Sequence, residues 1–87
     1  MGTTEKLSQF VANTASEDIP PEALEGAKIG MLDSMGTTLA GSKRPIGGLI
    51  NEFVAELGGT PDSVVVGQGY RTSPTNAALA NGTMAHA

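Results

Sequence analysis

His86 is where acid–base chemistry in this chain would start. Imidazole is the side chain that takes up and releases protons near neutral pH, and there is only one His and no Cys among the 87 residues. Asn81, five positions earlier, offers an amide that can hold a substrate oxygen. The two form the candidate site, His86 as a supporting catalytic residue and Asn81 as a substrate-binding residue. Beside that reading stands a structural one, in which both shape the last helix: a histidine on an alanine-rich helix is commonly structural, and Asn before Gly82 is a common local irregularity. No carboxylate or lysine is spaced to complete an acid–base pair with His86. Arg44 and Arg71 could bind a carboxylate, with solvated surface positions as the plainer reading. Gly67-x-Gly69 after a valine run has the form of a phosphate-cradling turn. Thr72 stands where a third glycine belongs, however, and no Lys-Ser or Lys-Thr pair follows, so a hairpin turn is expected.

Ser34 is the remaining side chain with chemistry of its own. Asp33-Ser34-Met35 resembles the Asp-Ser-Leu of acyl carrier proteins, whose serine carries a phosphopantetheine arm, and length and acidity suit that class. The placement opposes it, because that serine opens a helix, whereas Ser34 falls more than a turn inside one that starts near Pro21. The carrier protein stays a remote alternative.

These residues need elements to position them. Leu7, Phe10, Val11 and Thr14 recur at helical spacing behind Thr3 and Thr4, either of which can cap the first turn. Ser16 to Pro21 interrupts the pattern, and Pro21 suits the first position of a second helix. Leu24, Ala27, Met31, Met35 and Leu39 make an apolar stripe there, widened by Ile29 and Leu32, so this helix is expected to be largely buried. Gly41 to Pro45 stops and restarts the chain. Ile46, Leu49, Ile50, Phe53, Val54 and Leu57 then give the cleanest helical pattern, ended by Gly58-Gly59, one of them in the left-handed cap conformation. Ser63 to Val66 reads as a short strand, and Ser73-Pro74 as the cap and first turn of a last helix with no stop signal before Ala87. The fold class is therefore mainly α, four helices with a short β-hairpin-like segment.

Composition limits what such a chain can do. Leu, Ile, Val and Phe account for 18 of 87 residues, barely above the roughly one-fifth below which disorder is the default. Much of the rest is Gly and Ala, which bury little area, while each ordered residue costs on the order of 1.5 kcal/mol. A stable monomer is not expected. Without Cys there is no disulfide framework or thiolate metal site, and one His cannot build a multi-His site; no metal and no cofactor are expected. A net charge of -4 with five scattered cations argues against nucleic acid, which needs a basic stripe. No apolar run exceeds four residues, the valines Val64 to Val66 being only three, which excludes a membrane-spanning helix, and the absence of a signal pattern makes the expected location cytoplasmic.

The ordered set of segments resembles the opening of the MmgE/PrpD family. It comprises Phe10-Val11-Ala12, Ile19-Pro20-Pro21-Glu22, Ala27-Lys28, Leu32-Asp33-Ser34-Met35-Gly36, Leu39-Ala40-Gly41, Gly58-Gly59, Val66-Gly67 and the run Ala78 to Ala87. Its most specific piece is Asn81-Gly82-x-x-Ala85-His86. The family includes 2-methylcitrate dehydratase, cis-aconitate decarboxylase and iminodisuccinate epimerase. The resemblance implies a large helical domain built from both ends of a much longer chain, with a smaller α/β lid domain inserted and the active site between them. It implies homodimers and metal-free proton abstraction beside a carboxylate, with cationic side chains holding the substrate.

In the family the Asn-Gly-x-x-Ala-His run leads into an aspartate-rich site segment, and this chain stops just before it. Residues 1–87 are then the N-terminal part of the helical domain, incomplete and without the lid. The implied function is that of an N-terminal fragment or subunit of an enzyme acting on di- or tricarboxylates, foremost a 2-methylcitrate dehydratase-like hydro-lyase, not competent alone. Its partners would be the remainder of the enzyme chain or a second subunit, a second copy in a homo-oligomer, and a small carboxylate substrate. The alternatives are the decarboxylase or epimerase within the family, and a non-catalytic helical protein that self-associates.

Overall fold

The computed structural model describes residues 2–87. In chain order it contains α1 (Thr3–Asn13), a 3-10 turn (Ser16–Asp18), α2 (Pro21–Gly41), α3 (Pro45–Leu57), the strands β1 (Ser63–Val64) and β2 (Arg71–Thr72), and α4 (Pro74–Ala85). The expected class, four helices with one small hairpin, is the observed one. The chain divides into two compact units, Met1–Gly30 and Met31–Ala87, and α2 runs through the boundary.

In the first unit Gly2 occupies the cap position of α1 with no side-chain cap bond. Thr3 and Thr4 are already helical, which corrects the expectation that one of them caps. The helix ends where the Thr14 hydroxyl donates to the Phe10 carbonyl. In the following turn the Ala15 N–H donates to Asp18 Oδ2 at 3.0 Å, while the Asp18 N–H returns to the Ala15 carbonyl at 3.0 Å. Pro20 then starts α2 by accepting from the N–H groups of Ala23 and Leu24. This unit has no buried residue among those described.

The second unit holds the core. Val54 of α3, Val65 after β1, and Ala77, Ala80 and Met84 of α4 are buried together, with Ile50 and Tyr70 packed against them. Alanines at two of five positions let α4 lie close to its neighbours. Gly41 does the same for the end of α2, where a β-carbon would collide with the Met84 carbonyl. The small residue there is a packing requirement. Gly58 ends α3 with φ at 70° and ψ at -151° while its N–H reaches the Val54 carbonyl; the positive φ fits glycine, although the conformation is not the left-handed cap expected.

Two further expectations are revised. Only Thr38 and Gly41 of α2 are buried, and Met31 and Leu32 stand 71% and 76% exposed. The apolar stripe is long, but burial is confined to the last turn of α2. The strand read over 63–66 closes after Val64. Val65 turns into the core, and the Val66 N–H donates to the Asn81 side chain at 2.9 Å rather than to a strand. The two strands pair antiparallel, Ser63 with Thr72 and Val64 with Arg71, and the chain reverses through a turn around Gly67 that Gln68 N–H closes on the Val65 carbonyl. That is the hairpin expected in place of a phosphate loop.

Candidate functional site

Asn81 and His86 both belong to the α4 segment, and the start of that helix forms as its sequence prescribes. Ser73 sits at the cap with its hydroxyl accepting the Asn76 N–H at 3.2 Å, and Pro74 follows in the first turn. Five residues along an α-helix advance the direction of a side chain by about 140° beyond one turn, so the two residues face different surroundings. Asn81 is half-buried. Its Oδ1 accepts from Val66 N–H, and its Nδ2 donates to the Val64 carbonyl at 3.1 Å, bracketing the segment beyond β1. One amide hydrogen and one lone pair remain for a ligand. His86 caps the C-terminal end of α4, its backbone N–H reaching the Gly82 carbonyl at 3.3 Å, and its side chain is exposed.

A cation lies near that helix end. Thr37, Ala40, Gly41 and Arg44 with Ala85 and Ala87 line an open hollow of about 260 Å³. Arg44 is exposed and also caps α3, its carbonyl accepting from Gly47 and Gly48. The guanidinium can form paired hydrogen bonds to a carboxylate. Arg71, the other candidate, is on β2 beside a separate hollow formed with Val54, Gly58 and Tyr70. The two arginines therefore border different depressions.

Polar residues that sequence reasoning did not single out do more of the organising. Tyr70 donates its phenol hydrogen to Asn51 Oδ1 at 2.6 Å, and Asn51 Nδ2 donates to the Gly47 carbonyl at 2.8 Å and to the Met84 sulfur at 3.5 Å. Burial pushes the Tyr70 phenol above its ordinary value of 10.0, which keeps it a donor. Thr72 and Asn76 both donate to the Gly58 carbonyl, at 3.0 and 2.9 Å, fastening the end of α3 to the hairpin and to α4. The one available signal was a polar residue at an inward helical position, as with Asn51 between Ile50 and Val54. Ser34 stands in the interior of α2, its carbonyl accepting from the Thr37 and Thr38 hydroxyls. That is an ordinary helical position and not the helix-opening serine of a carrier protein.

Chemically, the second unit offers an accessible imidazole, a cation beside a hollow and a partly engaged amide. Among the described residues no cluster of three or more His, Asp or Glu side chains could hold a metal ion, and no helix is long and apolar enough to cross a membrane. Over residues 5–87 the sequence matches the family model of the MmgE/PrpD N-terminal domain. Searches of curated proteins and of solved structures give no match.

Proposed function

The chain belongs to the MmgE/PrpD family, and on that premise we propose that it is the N-terminal part of an enzyme acting on di- or tricarboxylates in the cytoplasm, with hydration and dehydration of 2-methylcitrate as its reaction. The observation that carries the reading is the match of residues 5–87 to the N-terminal domain of the family. In this reading residues 1–87 are an incomplete helical domain that works with the remainder of the enzyme, on the same chain or as a second subunit, in a homo-oligomer. Proton abstraction beside a carboxylate needs a base, a substrate clamp and a pocket that excludes water. His86 is exposed and Arg44 lines an open hollow, so the chain by itself is catalytically silent.

His86 acts here as a supporting residue that sets site geometry, and Asn81 offers its remaining amide hydrogen to a substrate oxygen. The test is hydration of 2-methyl-cis-aconitate by the complete enzyme. Turnover supports the dehydratase assignment; inactivity together with turnover of cis-aconitate or iminodisuccinate moves the chain to another reaction of the family. In the active enzyme His86→Gln alters the pH profile of kcat, and Asn81→Asp raises KM. A second reading, a non-catalytic self-associating protein, is favoured by the exposure of Phe10, Leu32 and Leu49 at 68%, 76% and 63%. A genuine stop after Ala87 with no separate remainder, together with a stable oligomer in sedimentation, selects it.

A further inference from the structure

The helix α3 has two apolar faces and only one is covered. Gly47 and Val54 are buried and Ile50 and Asn51 half-buried, and this side packs on α4. Ile46, Leu49, Phe53 and Leu57 recur at spacings of three and four on an adjacent stripe that stays 43%, 63%, 51% and 53% exposed. By the 3.6-residue period Glu52 and Glu56 lie side by side along the Leu49 edge of that stripe. Neither is in an ion pair among the described residues, where the one salt bridge is Lys28 with Glu25. The helix Pro45–Leu57 carries no cation of its own.

An apolar seam with an acidic edge defines its complement, because charges flanking such a seam select the partner helix. We infer that this face of α3 docks an amphipathic helix of another polypeptide segment, one with an apolar seam and Lys or Arg along the edge that meets Glu52 and Glu56. A second copy of the chain does not supply that complement. Its helices offer Lys6 on α1 and Lys28 on α2 as single cations, each with a glutamate close by in sequence, and pairing α3 with itself brings glutamates together. The inference rests on the proposal that the chain works with further segments of an enzyme, and it specifies the chemistry of one of them.

The test uses the 87-residue chain and two labelled synthetic peptides of about 20 residues, long enough for five turns or more. They share one apolar seam and carry either Lys or Glu on its edges, and fluorescence anisotropy reads binding. The Lys peptide is expected to bind about tenfold more tightly than the Glu peptide, with the difference collapsing in about 0.5 M salt. Replacing both edge residues, Glu52→Lys with Glu56→Lys, reverses the preference; both are exposed, and circular dichroism verifies the fold. Equal affinities, no binding of either peptide, or an unchanged preference in the double variant overturns the inference. So does a dimer in sedimentation that dissociates on Leu49→Asp, which would make a second copy the occupant. The substrate assays read the enzyme proposal independently of these outcomes.

Discussion

Residues 1–30 and residues 31–87 draw on the same modest set of apolar side chains and make very different use of them. In the first unit Leu7, Phe10 and Val11 are 61%, 68% and 74% exposed, and Phe10, Val11, Ile19, Pro20 and Ala23 line an apolar cleft of about 620 Å³. In the second, Val54, Val65 and Met84 are fully buried, and Asn51, Tyr70, Thr72, Asn76 and Asn81 direct their polar atoms at specific partners. Hydrophobic content does not separate the two. What does is whether helices approach closely enough to bury their apolar faces and whether side-chain hydrogen bonds reach across the chain, since those of the first unit span at most four residues and those of the second up to 33; each unmade buried bond costs about 1–3 kcal/mol.

Paired substitutions break this contrast where it is sharpest. Met84→Ala leaves a cavity in the second unit and should cost about 3 kcal/mol, whereas Leu7→Ala in the first should stay within about 0.5 kcal/mol; urea midpoints followed by circular dichroism compare them. Next come two identical changes of opposite sign. Gly41→Ala forces α2 and α4 apart at the Met84 carbonyl and is expected to cost about 2–3 kcal/mol. Gly26→Ala meets nothing within 4 Å and should stabilise by about 1 kcal/mol. If both lower the midpoint alike, the contrast between the units fails.

Smaller effects sharpen the account of polar fastening. Asn81→Ala strips the partners from Val66 N–H and the Val64 carbonyl and should cost about 2 kcal/mol, with faster amide exchange at Val66 in NMR as the local sign. Tyr70→Phe removes one bond to Asn51 and should cost about 1 kcal/mol at neutral pH. Its pH dependence is distinctive. Because the folded state holds the phenol above its ordinary 10.0, the unfolded chain ionises first, and Tyr70 favours folding fully only below that value. Stability then falls as pH rises from 10 through the folded value, and Tyr70→Phe should remove that part of the alkaline decline.

The helices were legible because their signals are local. Ser73-Pro74 starts α4, Pro21 starts α2, and Gly58 follows the last residue of α3, as read from residue type alone. Burial was less legible, since periodicity marks which face is apolar and says nothing about what covers it; α2 shows this with Met31 and Leu32 in the open. The short strand had the same origin, because an asparagine 15 residues further along the chain takes the Val66 N–H. Of the candidate site, Asn81 and His86 could be named from the sequence, but the work Asn81 does for Val64 and Val66 could not, because it depends on the hairpin folding back against α4.

That bracket has a consequence for solubility. The carbonyl of Val64 and the N–H of Val66 are the pair of atoms that an added parallel strand would bind, and the Asn81 amide presents to them the same acceptor and donor as a peptide group. One side chain thus stands in for a missing strand. It closes the edge beside Val64-Val65-Val66, the most β-prone run in the sequence, against templating by another chain.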